Sequence, residues 1–110
     1  MITYNLTLED MPSKDKKLAN IAKVENFKSN KSGLPIANQF IITLQNGMEI
    51  FQSYNSIIAV KANNETYLDQ NRWNYSRTTS RYRNQFLNET TVETVKKIGF
   101  GNYAMVDLNK

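Results

Sequence analysis

The chain contains neither cysteine nor histidine. Their absence excludes disulfides, zinc sites of the Cys/His kind, thiol catalysis and every histidine-based triad together. Only carboxylates, lysine, tyrosine, serine and threonine remain for chemistry. The 10 carboxylates are scattered. Glu89 and Glu93 are four apart, but Thr90 is expected to interrupt the helix between them. Nothing favours a glycosidase-type pair or a carboxylate-only metal site. Glycine is scarce as well: the 4 glycines form no phosphate-binding loop. Apolar runs are short. None is longer than Ile57-Ile58-Ala59-Val60, far below a membrane span or a signal-peptide core. These absences lead to the expectation of a soluble, cytoplasmic, non-enzymatic protein with no cofactor and no metal.

What is present is concentrated. All four arginines, Arg72, Arg77, Arg81 and Arg83, lie in "RWNYSRTTSRYR" at 72–83, with the only tryptophan, Trp73, and with Tyr75 and Tyr82. No acid occurs from Gln70 to Asn88. The net charge of the chain is +4, and this window supplies all of it. The electropositivity is therefore local, unlike the general basicity of a histone-like protein. A length of 110 residues with 40% apolar content suits one domain with its own core.

The hydrophobic pattern predicts an α+β fold. Tyr4, Leu6 and Leu8 alternate before Pro12, and Ser13 can cap a helix start. A strand is expected over 21–28 and a loop over 29–35. "NQFIITLQNGMEIFQSY" reads as a hairpin about Asn46-Gly47. A three-residue loop, Gln45-Asn46-Gly47, sets Leu44 against Met48, Ile42 against Ile50 and Phe40 against Gln52. That register gathers the apolar residues on one face, and Gly47 takes the left-handed position. A second hairpin turns at Asn63-Asn64. A helix follows over about 77–88, capped by Ser76 or Thr78. A second starts at Thr90, where Thr90 and Glu93 match a capping box. It runs through Val92, Val95 and Ile98 and stops at Gly99. A last strand is expected over 102–108. The architecture predicted is an antiparallel meander of about four to six strands, with one or two C-terminal helices packed on one face.

On a helical wheel, Tyr82, Phe86, Thr79 and Leu87 define the buried arc of the first helix. Arg77 and Arg81 fall on the polar face, as an i, i+4 pair of like charge that an anion would relieve. Arg83 falls inside the apolar arc. It is expected to form a structural ion pair with a strand carboxylate, with Glu49, Glu65 and Asp69 as the choices. Trp73 and Tyr75 have two readings, core packing or base stacking. The hydroxyls of Ser76, Thr78, Thr79 and Ser80 adjoin the helix start, where free N–H groups add partial positive charge. The candidate partner-binding set is Arg72, Trp73, Tyr75, Arg77 and Arg81.

Three stretches carry a resemblance: "FQSYNSIIA" at 51–59, "YLDQNRWNYSRTTSRYRNQFL" at 67–87 and "ETVKKIGFGNYAMVDL" at 93–108. They resemble small proteins encoded by phages, prophages and plasmids of low-GC Gram-positive bacteria. The most specific piece is Tyr75-Ser76, Thr78-Thr79-Ser80, Tyr82 and Asn84 leading into Phe86-Leu87. No catalytic residue carries over from that resemblance. It implies an accessory protein of a mobile element, acting in the host cytoplasm on a host protein or nucleoprotein complex. An anti-defence inhibitor of the anti-CRISPR type is the specific expectation. Direct nucleic-acid binding, by arginines on the backbone and Trp73 or Tyr75 on bases, is the alternative.

Overall fold

In the computed structural model, which describes residues 21–109, the chain runs β1 (Ile21–Lys28), β2 (Pro35–Leu44), β3 (Glu49–Ser53), β4 (Ser56–Ala62), β5 (Glu65–Asp69), α1 (Arg77–Leu87), α2 (Thr91–Gly99) and β6 (Tyr103–Val106). The alternation at Tyr4, Leu6 and Leu8 and the Ser13 cap lie outside the described residues. The strands form one sheet in the order β1-β2-β3-β4-β5-β6. The expected α+β architecture is present, with both helices on one face.

The register of the β2–β3 hairpin is the one its apolar pattern demands. Ile42 lies opposite Ile50, Phe40 opposite Gln52, and the Leu44 N–H donates to the Met48 carbonyl. Gly47 has φ +91°, a conformation that costs glycine little and other residues more. At the next hairpin Asn63 takes φ +57°, as the asparagine-rich turn predicts.

Strand β6 departs from the antiparallel expectation. It pairs in parallel with β5, Leu68 opposite Met105. Two consecutive helices carry the chain back to the end at which β5 began, so the returning strand must run in the same direction. The strand is also shorter than expected. Beyond Val106 the chain is held by side chains instead. The buried Asp69 carboxylate accepts from the Leu108 N–H and the Asn109 amide, both at 2.9 Å. The Asn109 side chain in turn receives the Ile57 N–H at 2.7 Å and donates to the Ile57 carbonyl at 2.8 Å, as a neighbouring strand would. Asn109→Ala is expected to strand both Ile57 groups. The loss should be about 1–3 kcal/mol, readable in a thermal melt. Asn109→Asp should rescue little, because it sets a second carboxylate beside Asp69.

Both faces of the sheet are apolar. Ile42, Ile50, Val60 and Tyr67 point away from the helices, and Leu108 packs among them. Phe51, Ile58, Ala59 and Leu68 face the helices and meet Tyr82 and Phe86 of α1. Ile58 is an extra residue between the pairs Phe51–Ala59 and Gln52–Ile57, which puts it on the helix face beside Ala59. The continuous run Ile57–Val60 thus serves a central strand buried on both sides. Phe27 of the edge strand β1 closes against Phe51 and Tyr82, with ring centroids at 5.2 and 5.4 Å. That contact sets the β1–β2 turn beside α1.

Candidate functional site

Helix α1 starts where Ser76 caps it. The Ser76 hydroxyl accepts from the Thr79 N–H at 3.1 Å, and no acid occupies the first turn. Thr79, buried, is fixed to Ser53 of β3 through a 3.0 Å hydroxyl contact. The far end is held by Lys61, whose ammonium donates to the Phe86 carbonyl at 2.9 Å and lies 4.4 Å over the Phe86 ring. With both ends fixed, the phase of the helix is fixed. Thr79, Tyr82, Arg83 and Phe86 are buried, while Arg77 and Arg81 are exposed, as the wheel predicts.

The exposed side of the α1 start opens into a cleft of about 470 Å³. Its walls are Asn74, Tyr75, Ser76, Arg77, Ser80, Arg81, Asn84 and Thr91, and no acid is among them. Three of the five sequence-predicted binding residues, Tyr75, Arg77 and Arg81, are therefore brought together with the expected serines. Arg72 and Trp73 are not. The Arg72 guanidinium turns back toward Asp69 at 3.8 Å. Trp73 is half-buried, packed against the helix-side core, and its ring stacks 5.0 Å from the Arg83 guanidinium. Of the two aromatics only Tyr75 is free for a partner, at 52% exposure.

Arg83 is wholly buried, as the wheel requires, but the expected ion pair is absent. Among the described residues no carboxylate lies within ion-pair distance of it. Glu49 instead meets Lys61, and Asp69 serves the C-terminal clasp. The reason is direction: Arg83 points toward the β5–α1 loop and the start of α2, not down onto the strands. One amino group donates to the Trp73 carbonyl at 2.6 Å and to the Asn74 side-chain oxygen at 3.0 Å. The other donates to the Asn84 oxygen at 2.8 Å and to the Thr91 hydroxyl at 3.0 Å. Burial lowers the pKa of Arg83, and the negative charge of Glu89 opposes that shift. An arginine stays protonated regardless.

Asn74, Asn84 and Thr91 thus have two roles. They are cleft walls, and they are the ligands of a buried cation. Ser80 and Asn84 complete the mesh by donating to the Asn74 oxygen and the Thr91 hydroxyl. Little in the sequence marks this set. Asn84 and Thr91 are seven apart across a helix-to-helix turn, a spacing that no periodicity marks. The one usable signal was an arginine in an apolar arc, which demands oxygens from somewhere.

A second, larger groove of about 940 Å³ runs between the β1–β2 turn and the α1–α2 junction. Lys31, Arg81, Glu89 and Glu93 line it, so its charge is mixed, and Arg81 stands on the ridge shared by the two. The two glutamates do separate work. Glu93 closes the capping box with Thr90. Glu89 is buried and accepts from Lys97 at 2.7 Å, Tyr103 at 2.7 Å and Thr94 at 2.6 Å. With both oxygens engaged by three donors, it is a structural centre.

The chain is thus an α+β sheet protein with an arginine-lined cleft at the start of its first helix. It belongs to DUF8033, a family of unknown function, whose model matches residues 22–102. That span takes in the first five strands and both helices, and ends just before β6. No curated protein and no solved structure matches the chain. Among the described residues no helix is long and apolar enough to cross a membrane.

Proposed function

We propose that the chain is a non-enzymatic binding module that grips an anionic surface of a host macromolecular complex with the cleft at the α1 start. The single observation that carries this reading is the charge balance there. Arg77 and Arg81 stand one turn apart without an acid, in front of a buried guanidinium that has no ion-pair partner, at a helix start with no acid in its first turn. Like charges so placed repel unless an anion lies between them. A helix start adds partial positive charge and unpaired N–H groups. Arginine and tyrosine are also the usual anchors of tight interfaces. The resemblance to proteins of mobile elements suggests the setting, a host cytoplasm, and the role, an anti-defence inhibitor of the anti-CRISPR type.

The test is a pull-down from host lysate with wild type and with Arg77→Ala/Arg81→Ala. Both substitutions are exposed, so the variant should melt within about 3 °C of wild type. It should lose the partner, with an affinity at least about tenfold weaker. Arg72→Ala, outside the cleft, should retain it. Identical partner lists for wild type and the double variant would defeat the reading.

Single-stranded nucleic acid is the second reading, favoured by the exposed ring of Tyr75 beside Arg77 and Arg81. So small a patch neutralises few phosphates, so binding would be modest and strongly salt-dependent. Anisotropy of a labelled oligonucleotide at low and moderate salt decides it, and no binding at low salt ends it.

A further inference from the structure

Helix α2 is built inside out. A surface helix turns its apolar stripe to the core and its polar residues to water. Here the only fully buried side chain is Thr94, and the helix is held by polar bonds from Thr94 and Lys97 to Glu89. Ile98 alone gives a partly buried apolar contact. Two of the three periodic apolar residues face outward instead: Val92 is 64% exposed and Val95 52%. Phe100, just past the helix, is 79% exposed. Val92 and Val95 stand about 60° apart on the helix, so they form one stripe. Single exposed apolar residues are ordinary, but this pair lies beside a charged cleft.

The stripe is continuous with the arginine cleft. Thr91 is a cleft wall, and Val95 stands one turn beyond it on the same side of α2. Lys96, also exposed, is the neighbour of Val92 one turn on. Glu93 is the acid at the margin, and its carboxylate is spent on the Thr90 N–H at 2.9 Å. The stripe is therefore framed by Arg77, Arg81 and Lys96. That frame disfavours a second copy, which would bring the same cations together. It also disfavours single-stranded nucleic acid, whose bases stack on aromatic rings and not on valines. Resting on the cleft reading above, we propose that the partner is a polypeptide segment with an apolar face flanked by carboxylates. Its acids enter the Arg77/Arg81 cleft, and its apolar face covers Val92 and Val95.

The test uses the full chain and four fluorescein-labelled probes, followed by anisotropy. They are a two-heptad amphipathic peptide of leucine and glutamate, the same residues scrambled, polyglutamate of equal length, and oligothymidylate. The amphipathic peptide should bind at least about tenfold more tightly than the scrambled peptide or polyglutamate. Val92→Ser/Val95→Ser should abolish that preference and leave polyglutamate binding unchanged. Arg77→Ala/Arg81→Ala should weaken both acidic probes. The proposal is overturned if wild type shows no preference, if the preference survives the serine pair, or if oligothymidylate binds best. It is overturned equally if light scattering shows a wild-type dimer that the serine pair makes monomeric. Acidic probes that respond to the arginines and not to the valines end this proposal alone. Probes indifferent to the arginines end the cleft reading, and this proposal with it.

Discussion

Arg83→Ala is expected to lower the melting temperature by about 10–20 °C, the largest effect of any single change at the cleft. The side chain is fully buried and makes four hydrogen bonds from a charged donor. Removing it strands the Trp73 carbonyl and the Asn84 oxygen, leaves the Asn74 oxygen with Ser80 alone, and opens a cavity beside the Trp73 ring. Bonds to charged groups contribute about 1.5–3 kcal/mol each, but water entering the cavity restores part of that, so a net loss of about 3 kcal/mol is expected. Arg83→Lys should recover little. A single ammonium cannot span Trp73 and Asn74 on one side and Asn84 and Thr91 on the other, as the planar fork does. Arg83→Met should fall between alanine and wild type, because it keeps the packed stem and removes the cost of a buried charge. At temperatures where it stays folded, it should still bind the acidic probes more weakly, since three cleft walls have lost the group that orients them. Thermal melts of the three variants check the order. An Arg83→Ala variant that melts with wild type would show that the guanidinium is dispensable.

That order was only half legible in the sequence. The side of the helix on which Arg83 lies follows from 100° per residue and from its neighbours Tyr82 and Phe86. Its partners do not, because a wheel gives a direction around the axis and says nothing of what stands there. The strand carboxylates were the obvious candidates by charge. The structure uses neutral oxygens of Trp73 and Asn74 in the β5–α1 loop, of Asn84 next to Arg83 on α1 and of Thr91 at the start of α2, a set that no periodicity connects. The β2–β3 register shows the opposite case. There a glycine needing positive φ and an apolar alternation on both strands point to one loop length, so local chemistry fixes a tertiary fact. The parallel direction of β6 was out of reach, since a period of two reads the same in either direction.

Helix α2 shows why periodicity can mislead. Val92, Val95 and Ile98 recur at three-residue intervals, and the pattern implies a core face. What orients the helix is Glu89, one residue before its cap. Its carboxylate draws in Thr94 and Lys97 from the opposite side and turns Val92 and Val95 to water. Among ten scattered carboxylates Glu89 carried no mark of burial.

Glu89 supplies the second large effect. Burial alone would raise its pKa. The donors Lys97, Thr94 and Tyr103, with the charge of Lys97, outweigh burial and hold it below the ordinary value. A carboxylate with a depressed folded pKa contributes stability that is present above its unfolded value. That stability is lost as the pH falls through the folded value. The chain should therefore be at full strength at neutral pH and weaken progressively below about pH 4.5, the ordinary glutamate value. Glu89→Ala at neutral pH leaves the Tyr103 hydroxyl without an acceptor, the Thr94 hydroxyl with the Thr90 carbonyl alone, and Lys97 without its counter-charge. Breaking a buried charged pair costs about 3–5 kcal/mol, with the lower end expected here because Lys97 is 44% exposed and regains water. Glu89→Gln separates charge from shape. It keeps the volume and one acceptor oxygen, but turns an amide donor toward one of three donors, so it should still be clearly destabilised at pH 7. Its melting temperature should then fall less than that of wild type between about pH 7 and about pH 3, since the titrating group is gone. If the two proteins lose stability in parallel over that range, other carboxylates govern the acid limb, and Glu89 is only a hydrogen-bond acceptor. Because the same carboxylate sets the rotation of α2, Glu89→Gln should also blunt the preference for the amphipathic peptide over polyglutamate, at a position that touches neither.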